Sequence, residues 1–210
     1  SLVGSEMCIR DSSSGHVSGK VIDFHPTIEV EISYRDGKQN IKTALLGDFN
    51  LYNILCAATV GEIFHIKSEI ISESLESYTP SNHRSQLIKT KTNIVIADCY
   101  NANPTSTLAA LKSLSSMKLE NKVAILGDML ELGENEEVEH QNIVQFMNEN
   151  NISGLLVGGI FSNLKCNFPT FEKVEFILPY LENMRYENCT ILIKGSRGIK
   201  LEKIIENQIL

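Results

Sequence analysis

Four apolar runs decide most of what this chain can become: "NIVIADC" (93–99), "KVAILGD" (122–128), "SGLLVGG" (153–159) and "TILIKGS" (190–196). None alternates apolar with polar residues, which is the pattern of strands covered on both faces. Between them lie stretches with apolar residues at helical spacing. These are 104–117 with Leu108, Ala109, Leu111 and Leu114, 136–148 with Val138, Ile143, Val144, Phe146 and Met147, 174–184 with Val174, Ile177, Leu178 and Leu181, and a closing segment at 199–205. Strand and helix in alternation predict an α/β, Rossmann-like, mainly parallel sheet flanked by helices. In such sheets ligands collect beyond the carboxyl ends of the strands, so the polar residues that follow each run are the first candidates for function.

The chain upstream has a different style. "IEVEISY" (28–34) alternates strictly, turns at Asp36-Gly37 and resumes toward Leu46, the pattern of a β-hairpin at a sheet edge with one wet face. A helix is predicted over 50–66 from Leu51, Ile54, Leu55, Ala58, Ile63 and Phe64. The polar link with Ser77, Thr79, Pro80, Ser81 and Asn82 then reads as a domain boundary. "SLVGSEMCIRDSSSG" (1–15) fits no periodic pattern; it reads as a cloning remnant or a frayed terminus and is set aside from the fold. "GHVSGKV" (15–21) mimics a phosphate loop, but it has three residues between its glycines instead of four and Val21 where Ser or Thr would bind magnesium.

Charge and cysteine usage exclude several classes. At a formal charge of −7, with Lys and Arg scattered, the chain offers no basic stripe for nucleic acid. No apolar run is long enough to span a bilayer, and the first residues do not have the form of a signal peptide. A cytoplasmic chain is expected. Five widely spaced cysteines suit reduced thiols, with no metal held by cysteine.

At the strand ends, Asp98 could accept hydrogen bonds from paired ribose hydroxyls or simply form a turn. Asn103 and Pro104 suit the N-cap and first turn of a helix. Lys194, Ser196 and Arg197, set among Gly195 and Gly198, suit a carboxylate or phosphate, or equally a glycine turn with solvated charges. Asp128, Glu131 and Glu134 read as acids near a helix start, and His140 as a helix-face histidine without a second ligand at metal spacing.

Taken together, "GDFNLYN", "SNHRSQL", "IADCYNANPTS", "LGDMLELGE" and "KGSRGIKLE" resemble the Mur ligases over about residues 19–210. Their order and spacing are similar to the branch that joins D-alanyl-D-alanine to UDP-N-acetylmuramoyl-tripeptide. The resemblance implies three regions here: a leader at 1–12, the hairpin and helix ending a truncated central ATPase domain at 13–81, and the family's C-terminal domain at 82–210. It also implies an ATP- and Mg2+-dependent carboxylate–amine ligase of peptidoglycan precursor synthesis working through an acyl phosphate. The rivals are a folylpolyglutamate-synthase-like ligase, which has a histidine-bearing "AHNP"-like site, and a noncatalytic Rossmann-like module binding a nucleotide or a partner. A dinucleotide oxidoreductase ranks below both, because no G-x-G-x-x-G follows a strand.

Carried over motif by motif, Asn50 and Asn53 match the adenine-contacting pair, Arg84 the arginine that reaches ribose and phosphates, and Asp98 the ribose acid. Tyr100, Asn101 and Asn103 would face an interdomain cleft near the phosphates and the incoming dipeptide, and Lys194, Ser196 and Arg197 would touch substrate. Phe49 stands where the family usually has histidine, and Ala97 and Cys99 where Asp and Ser are common. The phosphate-loop lysine, the modified lysine and the magnesium ligands match nothing in these 210 residues, which leaves the catalytic residues unknown. The expectation is that this chain alone neither hydrolyses ATP nor forms the amide, that it is monomeric, that its C-terminal domain folds by itself, and that the hairpin and helix lack the sheet they belong to.

Overall fold

The computed structural model describes residues 7–8, 17–24, 26–81, 83–117 and 121–210, and the chain divides into two compact units, Ser1–Thr79 and Pro80–Leu210.

The first unit is an antiparallel sheet in the order β1 (Met7–Cys8), β2 (Ser18–Phe24), β3 (Thr27–Tyr34), β4 (Gly37–Leu46), with helices α1 (Asn50–Ile63) and α2 (Ser68–Ser77). Strict alternation in β3 buries Ile28, Val30, Ile32 and Tyr34, which pack with Ile41, Leu51, Ile54, Leu55, Ala58 and Ile71. Its wet face carries Glu31, held between Lys20 and Lys38 at 3.5 and 3.4 Å.

The structure adds to the reading of this region in three places. Tyr34 pairs with Gly37, so the hairpin loop is Arg35-Asp36, and β3 is an inner strand with β4 outermost. The hairpin and helix do not stand without a sheet, because β2, which holds the second half of the "GHVSGKV" mimic, pairs along the other side of β3. Two residues of the leader, Met7 and Cys8, pair with Gly19 and Ser18; residues 1–6 and 9–16 lie outside the described residues. Helix α2 had no clear sequence signal: serine and glutamate occupy seven of its ten positions, and it is anchored by Ile71 against Gly61, where a Cβ would lie 2.6 Å from the isoleucine.

The second unit is a six-stranded sheet in the order β5 (Gln86–Lys89), β6 (Ile94–Asp98), β10 (Thr190–Lys194), β7 (Lys122–Gly127), β8 (Ser153–Val157), β9 (Thr170–Phe171). Only β5 is antiparallel to its neighbour. The mainly parallel α/β sheet is therefore present, with the four apolar runs as its inner strands. Val95, Val123, Ile125, Leu155, Val157, Ile191 and Ile193 form one core with Val174, Ile177 and Leu181 of α6 (Val174–Met184) and Ile204 of α7 (Glu202–Glu206). Helices α3 (Pro104–Ser116) and α4 (Glu136–Glu149) pack against each other, and α3 meets β7 and β10. Every residue of β10 is buried, the physical reason its run shows no alternation.

The last helical stretch begins later than expected. Residues Arg197–Ile199 form a 3-10 turn and Lys200 adopts φ +63°, so α7 starts at Glu202. Strands β5 and β9 and helix α5 (Gly159–Asn163) had no sequence signal, being two to five residues long.

The strand order matters for function. The crossover β6–α3–β7 leaves a gap that β10 fills from the far end of the chain, so the carboxyl ends of β6, β10 and β7 lie side by side. Gly127 and Gly195 make that convergence possible: a Cβ on Gly195 would sit 2.9 Å from the Gly127 Cα.

Candidate functional site

The ends of β6 and β10 are joined by a salt bridge. Parallel register sets Lys194 opposite Asp98, and Lys194 Nζ lies 2.6 Å from Asp98 Oδ2. The same ammonium donates to the Asn101 carbonyl at 3.0 Å, and its side chain is only 2% exposed. The other carboxylate oxygen of Asp98 accepts from Ser85 N at 3.1 Å and Ser85 Oγ at 3.4 Å. Ser85 had not been singled out from the sequence. It reaches Asp98 because His83 and Ser85 both take left-handed backbone, at φ +55° and +50°, which folds the segment onto the end of β6. Such conformations cost energy in non-glycine residues and concentrate at functional sites.

The loop after β6 carries Tyr100, 41% exposed. Arg84 Cζ lies 3.8 Å from its ring centroid and Arg197 Cζ 5.5 Å, both within cation–π reach. Arg84, Asp98, Tyr100, Asn101, Lys194 and Arg197 thus gather at one rim of the second unit, at the point where strand order reverses.

Two other candidates sit there with structural duties. Ser196 Oγ accepts from Leu130 N at 2.9 Å and approaches the Ala102 carbonyl at 3.4 Å, tying the loops after β10, β7 and β6. Asn103 caps α3: its Oδ1 accepts from Ser106 N at 2.8 Å and its own N–H donates to Ser106 Oγ at 3.2 Å. Its side chain is held by the helix it starts.

Asn50 and Asn53 lie in the first unit. Asn53 Nδ2 donates to Asn50 Oδ1 at 2.8 Å, and the buried Asn50 donates to the Leu46 carbonyl at 2.6 Å. The pair is joined as its three-residue spacing on one helix face predicts.

Asp128 and His140 are internal supports. Asp128 accepts from the backbone N–H groups of Ile160 and Phe161 at 2.9 and 3.0 Å, starting α5, and Gly158 is needed beside it because a Cβ would meet Asp128 Cγ at 2.2 Å. His140 is fully buried rather than on a helix surface. Its Nε2 accepts from Met129 N at 2.9 Å, so Nδ1, 2.6 Å from the Glu136 carbonyl, carries the proton. The 3.7 Å approach of Nε2 to Asp128 is therefore no ion pair. Burial, aided by the neighbouring Asp98 and Glu202 carboxylates, pushes the Cys99 thiol up to about 12.

Among the described residues no group of three or more His, Cys, Asp or Glu side chains could hold a metal ion, and no helix is long and apolar enough to cross a membrane.

Comparison with known proteins agrees with the fold of the second unit. Residues 83–197 match the family model "Mur ligase, glutamate ligase domain". A UDP-N-acetylmuramoyl-tripeptide–D-alanyl-D-alanine ligase of Buchnera aphidicola is 33% identical over 180 residues, 82% of this chain and 39% of the relative. The enzyme of the same name from Bacillus subtilis is 30% identical over 177 residues, 79% of this chain and 39% of the relative. The chain spans only 26% to 39% of the length of such relatives. Among solved structures, a MurF of Acinetobacter baumannii superposes with TM-score 0.80 at 22% identity, covering all of this chain and 46% of that one. MurF of Thermotoga maritima in complex with ADP gives 0.75 at 19% identity, covering 90% of this chain and 45% of that one.

Proposed function

Because the chain belongs to the Mur ligase family, matching its glutamate ligase domain, we propose that it is part of an ATP-dependent ligase of peptidoglycan precursor synthesis. The reaction proposed joins D-alanyl-D-alanine to UDP-N-acetylmuramoyl-tripeptide in the cytoplasm. The observation that carries this reading is the acid–cation cluster at the strand-order reversal, in a chain whose curated relatives bear that ligase name.

The chemistry requires activation of a carboxylate, which is a poor electrophile. ATP supplies it by phosphorylating the tripeptide carboxylate; the dipeptide amine then attacks, and phosphate leaves. Cations aimed at the transferring group stabilise the charge that develops. In this chain Asn50 and Asn53 would meet adenine and Asp98 the ribose hydroxyls. Arg84 would meet ribose and phosphates, while Tyr100, Asn101 and Arg197 lie toward phosphate and substrate. The donor set fits the nucleotide: the two arginines make no ion pair with a described residue. Lys194 and Ser196 act through others, Lys194 by fixing Asp98 and Ser196 by fixing loops, and Asn103 acts by capping. Among the described residues no three His, Cys, Asp or Glu side chains are grouped to hold a metal ion, and the roles above belong to the chain's own polar side chains. The 210 residues contain no phosphate loop of the G-x-x-x-x-G-K-[S/T] form, so ATP turnover by this chain alone is not expected.

The test is calorimetry of ADP against the 210-residue chain and its Asp98→Asn form. Binding that weakens at least tenfold with Asp98→Asn supports the ribose assignment, since a lost charge-assisted bond has about that worth. Equal binding removes it. The dipeptide-dependent reaction is tested by giving a longer form of the protein, one that includes a phosphate loop, ATP, UDP-N-acetylmuramoyl-tripeptide and D-alanyl-D-alanine. No phosphate release there would sink the ligase reading.

A further inference from the structure

Two guanidinium groups share the Tyr100 ring, and neither makes an ion pair or donates a side-chain hydrogen bond to any described residue. That arrangement is unusual in a chain of formal charge −7, where acids are plentiful. A carboxylate would hold an arginine by occupying its N–H donors and cancelling its charge. An aromatic face holds it through the π surface and leaves the donor edge, in the guanidinium plane, free for a ligand.

The three side chains are brought together by fixed backbone ties. Cys99 N donates to the His83 carbonyl at 3.0 Å, and the next residues along are Tyr100 and Arg84. Lys194 Nζ holds the Asn101 carbonyl at 3.0 Å, and Ser196 Oγ, one residue before Arg197, approaches the Ala102 carbonyl at 3.4 Å. Each member of the trio therefore sits next to an anchored position.

We propose that Tyr100 is a positioning platform that presents Arg84 and Arg197 together to the phosphate chain of a nucleotide, making Arg197 a second phosphate-binding residue. The proposal rests on the nucleotide reading above. A polyphosphate suits the pair better than a carboxylate does, because it offers several charged oxygens to two planar forks at once, whereas a carboxylate saturates one.

The test uses the 210-residue chain without magnesium, inorganic tripolyphosphate as the probe, calorimetry for affinity and arginine Nε–H resonances for location. Both Arg84 and Arg197 resonances shift. Tyr100→Leu weakens binding about tenfold, in the range of a desolvated cation–π contact, while Tyr100→Phe binds as the parent does. Arg197→Ala weakens binding at least as much as Tyr100→Leu. Tyr100→Leu or Arg197→Ala binding within twofold of the parent, with the native spectrum retained, overturns the platform. So does a parent that binds no tripolyphosphate at millimolar concentration, or one whose arginine resonances move with D-alanyl-D-alanine instead. ADP separates the two levels of the argument. If tripolyphosphate follows this pattern but ADP gains nothing from its nucleoside, the nucleotide reading fails and the platform stands. If ADP binding depends on Asp98 but ignores Tyr100 and Arg197, the platform fails alone.

Discussion

Lys194 shows how far a single residue's role can be read in advance. A lysine between a strand and a glycine turn looks like a surface charge available to substrate. Its partner, Asp98, is 96 positions away, and only strand order brings them to 2.6 Å. With the lysine 2% and the aspartate 20% exposed, removing one partner leaves a charge in a poorly solvated place. Lys194→Met is expected to cost about 3 kcal/mol in urea unfolding, and Lys194→Met with Asp98→Leu to recover most of it. A single mutant within experimental error of the parent would mean that the pair is solvated in solution. Cys99 gives the residue-scale pH prediction. Its folded-state pKa is raised from 9.0 to about 12, chiefly by burial, so the native thiol stays neutral where the unfolded one ionises. A group raised in this way stabilises fully below the unfolded pKa and progressively less above it. Stability should therefore fall between pH 9 and 12, and Cys99→Ala should flatten that fall. At pH 8 a thiol reagent should modify exposed Cys56 and leave Cys99 intact until the chain unfolds; prompt Cys99 labelling in the native state would contradict its burial.

At the scale of elements, the sequence was most legible where burial acts on a whole segment. The runs that became β6, β7, β8 and β10 lack alternation because helices cover both faces, and α3 was marked at its start by Asn103-Pro104. Replacing Asn103 with Ala should cost about 1 kcal/mol, with Asp or Ser at that position keeping most of the stability. If Asn103→Ala weakened substrate binding while leaving stability unchanged, the capping role would give way to a direct contact. What could not be read is equally physical. Helix α2 is mostly serine and glutamate, with a short apolar anchor, and it is held by Ile71 fitting against Gly61 rather than by its own propensity. Strands β5 and β9 exist because a neighbouring edge offers unpaired backbone groups, a cause that lies outside their own residues. The place of β10 in the middle of the sheet is likewise a long-range outcome, and the site depends on it. Asp98 could be picked out as an acid at a strand end; that Lys194 and Ser85 would hold it could not.

At the scale of the molecule, the two units differ in how completely each closes its own core. The second covers both faces of a parallel sheet with helices and buries β10 from end to end. The first is a small sheet with two helices, and its helical region leaves Val60, Ile63, Phe64, Ile66 and Ile70 between 44% and 73% exposed. Small domains bury a lower fraction of their surface and are correspondingly marginal. Residues 80–210 expressed alone should therefore unfold cooperatively, with a dispersed amide spectrum and little binding of a dye that reports exposed apolar surface. Residues 17–79 expressed alone should bind that dye strongly and unfold at lower denaturant. In the 210-residue chain this difference should appear as two urea transitions, the later one coinciding with that of residues 80–210 and shifting alone in Lys194→Met. A single transition moved as a whole by that substitution would mean that the units fold as one, and that the stability of the Asp98 site is shared by the entire chain.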